Sequence, residues 1–413
     1  MRIAFIMSRR DPSLPTIDND GGVVLLLGYG KALASLGHAI DIFTSRANIG
    51  WGIKEYVTTK RGLQKDDVVE LLPRVRVVRK EVAPIRIKDI ADLNSDTHVI
   101  RSSIIFADSF NDELKDYDIV NFFHPTSAYG LLDQRKVIPS KTILFPMLLS
   151  TEYAKFKNIT QHYLDMEMKV LNESGHIFSS SPFEMKELES LGVDMTKVNM
   201  LARGFDTDIF KFRSRDHLPR RKPIQIVSVG AIRPQKQQDM LVDIAIGLIE
   251  KGIDAEINIV GDNKNFSYAK NQDYYNSVVK RIGELNLGDK VRFVGGKTPQ
   301  ELSEILNDSD LALFPSIAES FGKAALEAIS CGIPTIATKS VEAYNIFMRH
   351  GVNALMVESS VSAYVNAVKN LYFNEELYVS LSIAGEELSK QFSWTAVTKQ
   401  LENLYLGVEA TLE

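Results

Sequence analysis

Between Asp310 and Thr338 the chain reads as a short apolar strand, a loop of small and polar residues, a helix, a Gly-x-Pro turn and a second apolar strand. Two strands joined through a helix lie parallel in one sheet, because an antiparallel pair needs only a tight turn. That pattern therefore commits this part of the chain to an α/β fold. The same alternation recurs on both sides. Arg2 to Ser8 reads as a strand, Val23 to Leu36 as a helix stopped at Gly37-His38, and Ala39 to Thr44 as a second strand. Short apolar runs follow at Val75 to Val78, Asp118 to Phe123, Thr142 to Pro146 and His176 to Ser179. Later, strands at Ile224 to Gly230, Ala255 to Val260, Val291 to Val294, Leu311 to Pro315 and Pro334 to Thr338 alternate with helices. Those helices are read at Gln238 to Lys251, Tyr274 to Asn286, Pro299 to Leu306 and Gly322 to Ser330. From Gly204 to Pro223 the periodicity lapses into Arg213, Arg215, Asp216, Arg220, Arg221 and Lys222, which reads as a linker. With 413 residues the chain is too long for one core. Two Rossmann-like, doubly wound domains are expected, with boundaries at 1–205 and 206–390 and a ligand in the cleft between them.

Charge and composition exclude several classes. Hydrophobic residues are 45% and charged residues 24%, the mix of a soluble globular protein. The net charge is −5 and its excess acid lies beyond residue 205, so no nucleic-acid partner is expected. One local basic cluster, Arg74, Arg76, Arg79, Lys80, Arg86 and Lys88, leaves peripheral contact with an anionic membrane or acceptor open. The simpler reading puts those charges on the outer face of edge strands. A single cysteine, Cys331, excludes a disulfide framework and a cysteine-rich zinc site. The apolar runs Ile3 to Met7 and Val23 to Leu27 are too short for a signal-peptide core or a spanning helix. A cytoplasmic protein without a transmembrane segment is expected.

Two loops carry the chemistry. The first is Pro315-Ser316-Ile317-Ala318-Glu319-Ser320-Phe321-Gly322, followed by a helix that contains Glu327. A helix opening at Gly322 presents backbone N–H groups and its positive dipole end, an anion site suited to a diphosphate. Carboxylates beside it repel phosphate and instead accept hydrogen bonds from sugar hydroxyls. The second is Val229-Gly230-Ala231-Ile232-Arg233-Pro234-Gln235-Lys236. Two cations after a glycine turn can clamp a phosphate pair and stabilise a leaving group. On local sequence alone, a basic surface loop fits equally well.

Three Asp-x-Asp triplets, at Asp18 to Asp20, Asp206 to Asp208 and Asp308 to Asp310, could suggest a divalent metal. Asp206 belongs to a longer motif, and Asp308 and Asp310 read as turn caps. Only Asp18 to Asp20 stands beside a glycine pair. No metal is expected. Gly28-Tyr29-Gly30 comes close to a dinucleotide fingerprint but falls inside a helical pattern, so it is rejected. His38 reads as a helix cap. Trp51, between Gly50 and Gly52, reads as loop packing or an acceptor contact.

Taken in order, these motifs resemble the GT-B glycosyltransferases, specifically the large retaining family 4 type. Glu319 and Glu327, with seven residues between them, match that family's paired glutamates, with Pro-Ser before and Gly-x-Pro after. Gly230 to Lys236 resembles its glycine–basic–lysine loop, with Ala231 where the family usually has arginine and Arg233 as the substitute. Ser180-Ser181-Pro182-Phe183 and Arg203-Gly204-Phe205-Asp206 resemble its interdomain crossing. Phe392-Ser393-Trp394 resembles the segment that returns to the first domain, so 391–413 would complete it.

The resemblance implies roles. Glu319, Lys236, Arg233 and His124 would be catalytic, with Glu319 on the donor sugar hydroxyls and Lys236 on the diphosphate. Gly21, Gly22, Gly230, Ser320, Phe321, Gly322 and Glu327 would bind the donor, with Glu327 on the ribose. The implied reaction is transfer from a nucleotide-diphosphate sugar, UDP by default, to an acceptor hydroxyl with retained configuration. No metal or cofactor is implied, since the two basic side chains would replace the cation. The rivals are a nucleotide-sugar epimerase on the same fold and a binding protein that has lost transfer.

Overall fold

Mostly apolar runs of four to seven residues become strands buried on both faces. The computed structural model describes residues 1–8, 21–45, 67–82, 96–147, 149–151, 159–219, 222–262 and 269–410. The chain divides into two units, Met1–Gly204 with Trp394–Glu413, and Phe205–Ser393.

The first unit holds eight strands: β1 Arg2–Ile6, β2 Ala39–Ser45, β3 Asp67–Leu72, β4 Val75–Lys80, β5 Ile119–Phe123, β6 Thr142–Phe145, β7 His176–Ser179 and β8 Val198–Met200. Their order is β3-β4-β2-β1-β5-β6-β7-β8. Every pairing is parallel except β3 with β4. The second unit holds β9 Ile224–Val229, β10 Ala255–Val260, β11 Val291–Gly295, β12 Leu311–Phe314, β13 Thr335–Thr338 and β14 Leu355–Val357. Their order is β11-β10-β9-β12-β13-β14, all parallel. Renumbered within the unit this is 3-2-1-4-5-6, the Rossmann order, whose direction of winding reverses between its first and fourth strands. Here those strands are β9 and β12. In the first unit the reversal lies between β1 and β5.

The stretch expected as a linker is folded into the second unit. Phe210 is buried. The Arg215 guanidinium donates to the carbonyls of Arg213, Leu306, Asn307, Ser309 and Cys331 at 2.7 to 3.3 Å. Arg215 thus gathers backbone carbonyls at the C-terminal ends of two helices, Pro299–Asp308 and Lys323–Ser330. Charge density alone misread it, because a guanidinium with five donors can be drawn half-buried into the fold when carbonyls surround it. Of the other charged residues in that stretch, Arg213, Asp216 and Lys222 are described and Arg220 and Arg221 are not.

The last helix, Trp394–Ala410, packs within the first unit. Tyr405 there donates to Asn121 Oδ1 in the core of β5 at 2.7 Å. His38, expected as a helix cap, instead bonds Glu402 on this helix at 2.8 Å through Nε2. The near-fingerprint glycines also serve this packing. A Cβ on Gly28 would overlap the Trp394 ring, as would one on Gly204. Gly30 has ordinary clearance of 3.8 to 4.0 Å. Gly28→Ala should therefore cost about 1–3 kcal/mol in thermal or denaturant unfolding, the scale for overpacking. Gly30→Ala is the control, and equal losses in both would remove the Trp394 contact as the cause.

Candidate active site

A parallel sheet gathers function at the carboxyl ends of its strands, where the winding reverses. In the second unit the two loops singled out by sequence leave the two strands at that point. Gly230 to Gln237 follows β9 and Pro315 to Gly322 follows β12. The loops are joined by a backbone bond from Ile317 N to Gln235 O at 2.9 Å. Side chains join them again where Lys236 Nζ pairs with Glu319 Oε1. Gly261, at the exit of β10, lets the strands' ends approach this closely: a Cβ there would overlap Gly230 O.

Glu319 Oε1 is heavily bonded. Besides Lys236 it accepts from Ser316 Oγ at 2.9 Å, and the hydroxyl of buried Tyr344 stands 3.5 Å away. Among the described residues no donor bonds Oε2. Burial pushes the Lys236 ammonium below the ordinary lysine value. Glu319 opposes that shift and nearby Arg233 adds to it. Arg233 Nε is buried without a hydrogen-bond partner among the described residues, as is Gln235 Oε1. Buried polar atoms are normally paired, so an orphaned guanidinium N–H beside a second cation marks an anion site. Ala231 is exposed and Arg233 lies within electrostatic reach of Lys236.

The helix after the second loop begins at Lys323, one residue later than expected. Gly322 is its N-cap, at φ +87°. A side chain is excluded there twice over: by the left-handed backbone and by the Tyr344 ring, which lies 2.5 Å from where a Cβ would stand. Phe321 is buried against Phe347 and Phe392, and Ser320 is half-buried beside it. Glu327 is 3% exposed, and its Oε1 pairs with Lys323 Nζ one turn earlier. Ser316, Lys323 and Tyr344 were not among the sequence candidates. Ser316 and Lys323 sit inside the motif itself. Tyr344 lies outside it and has no local signal.

In the first unit His124 follows β5, at the reversal point. It adopts φ +88° and caps the helix Pro125–Asp133, its Nδ1 accepting from Thr126 N at 3.2 Å. A non-glycine residue in that region is strained, and such strain clusters at functional sites. Gly21 and Gly22 open the helix Gly21–Ser35. The crossing motif forms a buried network. Glu184 Oε2 accepts from Ser179 Oγ, Ser180 N and Ser180 Oγ, and Arg203 Nη2 bonds Ser180 Oγ. Of the proposed turn caps, Asp310 instead accepts Gln225 N at the start of β9. Asp18 to Asp20, Trp51, Arg86 and Lys88 lie outside the described residues. Arg76 is bonded to Asp41 and Lys80 to Glu113, but both stand on β4, which lies inside the sheet between β3 and β2, and Lys80 is buried, so the edge-strand reading fails for them. Cys331 is buried and its thiol pushed up to about 12, out of the nucleophilic range. Among the described residues no helix is long and apolar enough to cross a membrane.

Residues 210–388 match the family model described as glycosyl transferases group 1. Over that stretch the chain carries the sequence pattern of that family. The likeness extends over the whole chain. The D-inositol 3-phosphate glycosyltransferase of Corynebacterium aurimucosum is 26% identical across 98% of this chain and 96% of its own length. The sucrose-phosphate synthase structure from Thermosynechococcus elongatus superposes at a TM-score of 0.79 and 21% identity, covering 99% of each chain. A structure of Anabaena HepE in complex with UDP-glucose superposes at 0.69 and 15% identity, covering 98% of this chain and 100% of its own. The fold is GT-B and the activity is glycosyl transfer, as the motif resemblance implied. The epimerase and the decayed binding protein are not favoured.

Proposed function

We propose that this glycosyltransferase moves a sugar from a UDP-sugar to a hydroxyl of a small acceptor, with retention and without a metal. The observation that carries the reading is the convergence of the two reversal-point loops on the Lys236–Glu319 pair. It brings a phosphate-binding cation and a sugar-binding carboxylate side by side, as the two ends of a sugar diphosphate require.

Each residue then has a task. Arg233, Lys236 and the backbone N–H groups at Gly322 and Lys323 hold the diphosphate and take up its charge as it leaves. Glu319 accepts from donor-sugar hydroxyls through Oε2, and Glu327 from the ribose. The acceptor hydroxyl attacks the anomeric carbon from the face the diphosphate leaves, and its proton passes to the departing phosphate. Two fixed cations supply the charge a divalent metal would otherwise bring. The UDP preference is supported by the UDP-glucose complex of HepE. Two of the relatives are named for phosphorylated compounds, which supports a phosphorylated polyol or sugar as the acceptor class. The lone buried Cys331 fits a reducing compartment such as the cytoplasm.

Thermal unfolding with UDP, GDP and ADP, each with and without EDTA, tests the donor site. At 100 times its dissociation constant a ligand adds about 2.7 kcal/mol. A shift selective for UDP that survives EDTA is expected. Selectivity for GDP or ADP would overturn the base assignment, and loss of the shift in EDTA would overturn metal independence.

A further inference from the structure

The two motif carboxylates are loaded alike. Glu319 has its Oε1 on Lys236 and Glu327 has its Oε1 on Lys323, while no donor among the described residues bonds either Oε2. The Lys323 side chain is 35% exposed and that of Glu327 only 4%. A carboxylate this buried is costly to keep ionised without a partner, and Lys323 is the partner that the described residues give it. The pairing is local, one helical turn within Lys323–Ser330. It fixes which oxygen Glu327 turns toward the ligand.

We propose that Lys323 is a positioning residue for the nucleotide ribose. It acts through Glu327: by taking Oε1 it aims Oε2 at the ribose hydroxyls. This rests on the reading of Glu327 as the ribose acceptor. The Lys323 side chain does not contact the diphosphate in this assignment; only its backbone N–H, at the helix N-terminus, does.

The test compares UDP, 2′,3′-dideoxy-UDP and inorganic pyrophosphate binding by calorimetry to the wild type, Lys323→Met, Lys323→Arg and Glu327→Gln. Lys323→Met should weaken UDP about tenfold, the scale of one charge-assisted hydrogen bond. It should leave the dideoxy nucleotide and pyrophosphate unchanged, and Lys323→Arg should recover most of the loss. Equal weakening of all three ligands by Lys323→Met would overturn the proposal, because Lys323 would then touch phosphate directly. Unchanged or tighter UDP binding would overturn it too, making Lys323 a bystander or a competitor. Glu327→Gln separates the two readings. If it leaves the ratio of UDP to dideoxy-UDP affinity as in the wild type, the ribose role of Glu327 itself fails.

Discussion

Glu319→Gln should lower kcat/KM for sugar transfer at least about a hundredfold, the scale for removing one preorganised group from a reacting centre. The amide keeps the shape but loses the charge, and with it the strongest acceptor facing the sugar. It also leaves Lys236 without its counter-charge, and the two side chains are each 12% exposed. Breaking one partner of a buried pair costs about 3–5 kcal/mol, so the single variant should also melt earlier. A loss of activity alone would therefore be ambiguous. Glu319→Gln combined with Lys236→Met resolves it, because the double variant has no stranded charge. It should recover most of the melting temperature and none of the activity. If Glu319→Gln turns over near the wild-type rate, Glu319 does not hold the donor sugar. If the double variant regains activity, the loss in the single one came from destabilisation.

How much of this is legible in the sequence depends on where the physics is local. The strands β9, β12 and β13 are readable because their apolar runs are bounded by glycine, proline and serine and repeat at a spacing that only parallel crossovers fit. Glu319, Glu327 and Lys236 are readable as chemistry because each sits in a loop or early helical turn close to a glycine. Three things are not. Arg215 is held half-buried by carbonyls drawn from positions about 90 to 116 residues away, so its charged neighbours in sequence make it look like part of a linker. Tyr344 reaches Glu319 across 25 residues and packs on Gly322 only in the folded chain. Lys323 escapes notice because a lysine beginning a helix ordinarily reads as a solvated charge. The burial of Glu327, which gives that lysine its meaning, is set by the sheet and not by the motif. The same holds for Gly28, whose close neighbour Trp394 lies at the other end of the chain.

Lys236 yields the second large effect, and its sign follows from burial. A diphosphate is held and its departure assisted only by the ammonium form. Burial disfavours that form and Arg233 disfavours it further, while Glu319 restores part of it. The net result lies below the ordinary value of 10.5. As pH rises, Lys236 therefore loses its proton earlier than a surface lysine would, and kcat/KM, which reports the free enzyme, should fall on an alkaline limb below pH 10.5. Lys236→Met should remove the limb together with at least about a hundredfold of turnover. Lys236→Arg is the sharper variant, since a guanidinium stays charged to above about pH 12. Its activity should be reduced by the altered reach, yet its alkaline limb should move upward out of range. A limb that stays at the same pH in Lys236→Arg would assign the titration to another group and detach Lys236 from the leaving diphosphate.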